Sequence, residues 1–294
     1  MGTGWSLTTI VPGAIDEARI EAALESVFAC VIQQMSQWEP NSQLSRYNRA
    51  APGERVAIGP QFSIVLDCAL QIARSSDGAF DPTLGAASEA WGFGAGPAPT
   101  ALPNPEGQSD AGWRALAWSL GDPELLQPGG ITLDFSGIAK GFAVDMGIAA
   151  LERLGIRHAL LEIGGELRGI GVREDGLPWW IDLEQPPQST APLTRVGLTG
   201  WAVATSGNYH RRRSVSEQSW SHTLDPHTGY PIGDTIHSVS VLHRGCMQAD
   251  ALATAISVMG PERGLGFADR YGIPARVVAA DTTLSSAAWV RWLS

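Results

Sequence analysis

From Asp16 onward the apolar residues Ile20, Leu24, Val27, Phe28, Val31 and Met35 recur every three or four positions. That spacing predicts an amphipathic helix with this stripe facing a core. Asp16 supplies the N-cap, and Pro40 disfavours helix at the residue before it, so the helix closes near Trp38. Pro60 suits the first turn of a second helix, with Phe62, Val65, Leu66, Ala69 and Ala73 inside and Gly78 as its stop. A third helix runs from about Ile138 to Leu154, closed by Gly155, and a fourth from Ala249 to Met259, closed by Gly260. Short runs between them read as strands: Thr3 to Val11, His158 to Ile163, a hairpin-like series through Trp179 to Glu184, a run ending at Val203, and Ser238 to Leu242. The tail from Ala275 to Leu293 reads as two more short strands. Residues 94–111, rich in Gly, Pro and Ala, predict a surface loop. Helices and strands mix without regular βαβ alternation, so the predicted class is α+β.

Composition narrows the possibilities. With 294 residues the chain can form one large domain or two fused halves. It contains no apolar run long enough to span a membrane. The N-terminus, Met1-Gly2-Thr3-Gly4-Trp5, lacks the basic start and apolar core of an export signal. This fits a cytoplasmic protein, or a periplasmic or membrane-anchored one trimmed of its signal. A formal net charge of −10 argues against nucleic acid as a partner. It also means that a phosphate-bearing ligand needs local compensation from a metal, a lysine or helix N-termini. Cys30, Cys68 and Cys246 have neither metal-ligand nor disulfide spacing and read as buried free thiols. Of the 20 basic residues only Lys140 is a lysine. It lies close to Gly137 and Gly141, where it reads either as a point charge for a phosphate or as a solvated first-turn residue.

Several segments carry candidate chemistry. Asp250 and Thr254 are four apart at the start of a helix, so their oxygens share a face. They suit a hard cation such as Mg²⁺, or else Asp250 complements its own helix N-terminus. His222 and Asp225 read as a base and its orienter, or as a surface histidine beside an Asp-Pro turn. Thr205 and its neighbours end a strand with small hydroxylated residues, and Arg211-Arg212-Arg213 reads as a solvated loop. Asp81-Pro82-Thr83-Leu84-Gly85 is echoed by Asp225-Pro226-His227-Thr228-Gly229, a signal short enough to be chance. Neither a GxGxxG fingerprint nor a GxxxxGK[ST] loop occurs, so no standard dinucleotide or P-loop site is indicated.

The order of these segments is more specific than any one of them. MGTGWSL, MSQWEPNSQLSRYN, GAFDPTLG with WGFG, LDFSGIAKGFAVD, EIGGEL, ATSGNY, SHTLDPHTGYP and QADALAT resemble the successive motifs of the FAD:protein FMN transferases, the ApbE flavin transferase family. The resemblance runs from the first residue to about Gly260. It implies an α+β fold of two related, intertwined halves forming one domain over residues 1–294, with FAD in the cleft between them. The implied reaction is Mg²⁺-dependent transfer of FMN from FAD to a threonine hydroxyl of an acceptor protein, releasing AMP. The implied acceptors are subunits of sodium-pumping or electron-transfer complexes. A Mg²⁺-dependent FAD pyrophosphatase giving FMN and AMP, and a non-catalytic flavin-binding protein, are the alternatives.

Carried over by position, the flavin site falls on Met1, Trp38, Ala79, Phe80, Asp81 and Ser136, with Lys140, Thr205 and Leu224 beside it. The metal site falls on the Ala139 carbonyl, Asp250 and Thr254. His222 is the implied base, with Asp225 next to it. The chain departs from the family in two ways. It shows no export signal or lipoprotein cysteine, and it has Gly207-Asn208-Tyr209 where Gly-Asp-Tyr is usual. No acceptor-type Asp-x-x-Ser/Thr-Gly/Ser-Ala-Thr stretch occurs either, so self-flavinylation is not expected.

Overall fold

The computed structural model of the protein describes residues 2–13, 15–104, 112–187, 193–279 and 282–293. In chain order the elements are β1 (Trp5–Thr9), α1 (Glu17–Met35), α2 (Gln43–Arg49), β2 (Arg55–Ala57), α3 (Pro60–Ser75), α4 (Gly85–Ala90), β3 (Glu124–Leu126) and α5 (Ala139–Arg153). Then come β4 (Ala159–Ile163), β5 (Glu166–Ile170), β6 (Trp179–Asp182), β7 (Arg195–Leu198), β8 (Trp201–Gly207), β9 (Arg212–Val215), β10 (Gln218–Ser221) and β11 (Ile236–His243). The chain closes with α6 (Cys246–Met259), α7 (Pro261–Tyr271), β12 (Ala275–Ala279), β13 (Thr282–Ser285) and α8 (Ala287–Leu293).

Seven strands form one sheet in the order β1-β4-β5-β8-β11-β12-β13, and every neighbouring pair is antiparallel. The α+β class expected from the sequence is therefore what the chain adopts. The order contains a repeat. A strand (β1 or β11) leads through helices to its own antiparallel neighbour (β4 or β12), which a hairpin joins to the next strand (β5 or β13). The two plans flank β8.

Strand alternation divides the core between the two faces of the sheet. On β8, Ala202 and Ala204 join the main core under α5 and α6, while Val203 joins a second cluster with Trp179, Leu198, Leu242 and Trp289. Alpha1 and α3 lie outside α5 and α6 and complete the helical layers. The stripe Ile20, Leu24, Val27, Val31 and Met35 is buried as its spacing predicts, and Asp16 accepts the Arg19 N–H at 2.7 Å as the N-cap.

Three expectations change. The tail forms two strands and then the helix α8, because Ser286 accepts the Trp289 N–H and starts a turn that ends the strand pattern. Alpha6 begins at Cys246 rather than Ala249, its first turn capped from elsewhere in the fold, α2 is a helix too short to stand out by period, and the further helix α7 follows directly on Gly260. Cys68 and Cys246 are buried free thiols, but Cys30 is only half-buried.

Candidate active site

Alpha3, α5 and α6 share an anomaly at their starts. Their N-cap residues are Gly59, Ile138 and Gly245, none of which offers a capping side chain. The exposed N–H groups of a first turn need acceptors. Gln34 of α1 accepts the Phe62 N–H at 2.9 Å. Asp145 of α5 accepts the Cys246 and Met247 N–H groups at 3.0 and 2.9 Å. In return, Asp250 of α6 accepts the Gly141 N–H of α5 at 3.0 Å. The two central helices thus cap each other. A Cβ at Gly141 would collide with the Cys246 carbonyl and lie 2.9 Å from the Asp250 Cβ, so only glycine allows this approach.

This crossing forms the floor of a cleft of about 610 Å³. Ser136 and Lys140 reach it from the start of α5, and Asp250 and Thr254 from α6. Trp38 comes from the end of α1 and is nearly half exposed. Ala79, Phe80 and Asp81 follow α3, where Asp77 and Gly78 turn the chain with φ of 51° and 81°. Thr205 comes from β8 and bonds Ser240 at 2.9 Å, while His222 and buried Leu224 follow β10. Ala139 lines a side cavity of about 70 Å³ that shares Ser136 and Lys140 with the cleft. Met1 lies outside the described residues.

Two placements correct the sequence reading. Lys140 is not a free solvated charge: its partly buried ammonium pairs with the carboxylate of Glu166, a residue only 2% exposed. Burial pulls the Lys140 pKa down, but the nearby Glu166 and Asp250 charges outweigh it and hold the amine protonated. Burial likewise pushes the Asp250 carboxyl up against the pull of Lys140, so its charge favours a further cation. Asp225 is not the orienter of His222. Its carboxylate accepts the His227 N–H at 2.9 Å and contacts His227 Nδ1 at 3.1 Å, because a short Asp side chain reaches its own turn first. Asp81 closes the same turn, accepting the Thr83 N–H at 2.8 Å. The sequence echo therefore has a common local structure.

His222 stands edge-on to Phe93, with ring centroids 6.1 Å apart. Its Nδ1 is buried and has no hydrogen-bond partner among the described residues. Burial and then the charge of Arg211 lower its pKa from 6.5 to about 4, so the imidazole is neutral at neutral pH. It can accept a proton, and an arriving anion would raise its basicity.

Among the described residues, no group of three or more His, Cys, Asp or Glu side chains is placed to hold a metal. The donors at the helix crossing suit a different kind of ion. Asp250 offers its second carboxylate oxygen, and the Thr254 hydroxyl lies one turn further on, bonded to the Asp250 carbonyl at 3.3 Å. A Cβ at Gly137 would sit 3.2 Å from the Thr254 Oγ1, so the start of α5 closes over both. One carboxylate with neutral oxygens fits Mg²⁺, which keeps waters and substrate phosphates as its other ligands.

Sequence reasoning missed Glu166 and Arg211, both of which line the cleft. A signal for Glu166 existed. Gly164 and Gly165 take φ of 60° and 100°, the two-residue hairpin turn that such a pair predicts, and this sets Glu166 opposite Ile163. For Arg211 no local signal distinguishes it from its two arginine neighbours.

Comparison with known proteins identifies the family and the fold. The model of the ApbE family matches residues 1–277. The FAD:protein FMN transferase of Vibrio cholerae serotype O1 is 34% identical over 289 residues, covering 95% of this chain and 85% of the relative. The solved flavin transferase ApbE from Vibrio cholerae superposes with a TM-score of 0.89 at 32% identity, covering 99% and 96% of the two chains. The apo Pseudomonas stutzeri flavinyl transferase ApbE gives 0.88 at 32% identity, covering 98% and 92%. A family model over most of the chain, a relative 34% identical and the same fold place the chain: it belongs to the ApbE family.

Proposed function

We propose that this protein is an FAD:protein FMN transferase, moving FMN from FAD to a threonine hydroxyl of an acceptor protein and releasing AMP with the help of Mg²⁺. The observation that carries the reading is the convergence on one cleft of a neutral imidazole, His222, with an oxygen-donor pair, Asp250 and Thr254, that meets the start of α5.

Asp250 and Thr254 would hold Mg²⁺, with the Ala139 carbonyl as the third protein donor. When bound, the ion supplies positive charge against the pyrophosphate and polarises its P–O bonds. Trp38 and Phe80 offer ring faces to FAD, and the polar groups of Ser136, Asp81 and Thr205 border the same space. His222 takes the proton of the acceptor hydroxyl as the oxygen attacks the phosphorus of the FMN half. The bond from that phosphorus to the bridging oxygen breaks, and AMP leaves with the electron pair. The acceptor is a flavin-carrying subunit of an electron-transfer or sodium-pumping complex. The whole chain acts as one domain.

The decisive experiment mixes the protein with FAD, Mg²⁺ and an acceptor domain bearing an Asp-x-x-Ser/Thr-Gly/Ser-Ala-Thr stretch, and reads covalent FMN by intact mass. Labelled acceptor with stoichiometric AMP is expected. AMP without labelled acceptor would replace transfer by FAD hydrolysis.

A further inference from the structure

Four acidic side chains line the cleft, Asp81, Asp134, Glu166 and Asp250, against two full cations, Lys140 and Arg211. Its formal charge is therefore −2, before any anionic substrate enters. Lys140, partly buried, is already paired with the buried Glu166.

The three consecutive arginines differ in what they do. Arg212 clamps Asp234 with contacts at 2.7 and 3.2 Å. Arg213 donates to the Gly92 carbonyl at 3.0 Å and ties β9 to the loop after α4. Arg211 has neither kind of bond. Its side chain is exposed and lines both the main cleft and the side cavity. Its own carbonyl accepts the His222 N–H at 3.2 Å, which sets the two residues side by side. Among the described residues it is the one cleft-lining full cation with no acidic partner. An arginine fork is built to bind phosphate oxygens in pairs.

We infer that Arg211, not Lys140, is the side chain that binds the pyrophosphate of the dinucleotide, next to the candidate base and across the cleft from Asp250. This rests on the proposed use of FAD. In this arrangement the anion lies between a cation from the residue just before β9 and the metal donors of α6. The structural pair Lys140–Glu166 is left to hold the floor. Arg211 also acts before the substrate arrives, since its charge helps to keep His222 unprotonated.

The test compares FAD with riboflavin, which has the same ring but no phosphate, by flavin fluorescence titration in Mg²⁺ on the full chain. Arg211→Gln is expected to weaken FAD binding about tenfold or more, the scale of one charge-assisted hydrogen bond. Riboflavin binding should stay within about twofold, and Arg211→Lys should recover part of the loss. The salt dependence of FAD affinity should be shallower in Arg211→Gln. Because Arg211 is exposed and makes no structural bond, the melting temperature should not move. Wild-type FAD affinity in Arg211→Gln, or equal losses for FAD and riboflavin, would overturn the assignment while leaving the transferase reading intact. A wild-type protein that fails to bind FAD would overturn both.

Discussion

At the scale of single residues, Lys140 shows how burial changes a role. Removing its ammonium leaves Glu166 buried and unpaired, with one carboxylate oxygen already lacking a partner. Breaking a buried pair from one side typically costs about 3–5 kcal/mol, and Lys140 is partly solvated, so Lys140→Ala should cost about 2–4 kcal/mol. Chemical denaturation would measure this, and Lys140→Met with Glu166→Gln should restore most of it. His222 makes a different prediction. Its folded pKa, about 4, lies below the ordinary 6.5, so the folded chain refuses a proton that the unfolded chain accepts. Stability should therefore fall as pH drops from 6.5 toward 4, by up to roughly 3 kcal/mol from this group. His222→Gln should flatten that part of the stability–pH curve. The same variant should slow AMP release by about 10²–10⁴-fold at neutral pH.

At the scale of elements, the mutual capping of α5 and α6 makes Asp250 both a structural acceptor and a candidate metal ligand. Asparagine separates the two roles. Its side-chain carbonyl can still accept the Gly141 N–H, but the negative charge is gone. Asp250→Asn should stay folded by circular dichroism and lose more than the ~100-fold of metal affinity typical of losing an outer partner. Thr254→Val, which removes a neutral donor, should be milder. Titrations with Mn²⁺ read by electron paramagnetic resonance, beside AMP release against Mg²⁺, would rank the two. An Asp250→Asn protein with unchanged Mn²⁺ affinity would remove Asp250 from the metal site. The sequence placed Asp250 on a helix face shared with Thr254. It could not show that the N-terminus it serves belongs to another helix, because the partner lies 109 residues away.

At the scale of the whole molecule, β8 joins the two strand–helix–hairpin plans into one continuous sheet, and the main core runs beneath both. Among the described residues both plans share this core, so the chain should unfold as one unit. Melts followed by tryptophan fluorescence and by far-UV circular dichroism should coincide. Saturating FAD with Mg²⁺ should raise the single midpoint, by about 2.7 kcal/mol of stability at 100 times the Kd. Two separated transitions would show that the plans fold independently.

The helices α1, α3 and α5, the turns at Asp81 and Asp225 and the order of the motifs were legible in the sequence. Each depends on local periodicity, on the φ freedom of glycine or on a side chain reaching two residues along. Tertiary structure alone decided that Lys140 belongs to Glu166, that Asp225 belongs to His227, that Asp145 and Asp250 exchange caps, and that one arginine of three turns into the cleft. These are choices among chemically equal partners. A charge can be paired by any opposite charge and a helix start by any acceptor, so only the folded distances select one.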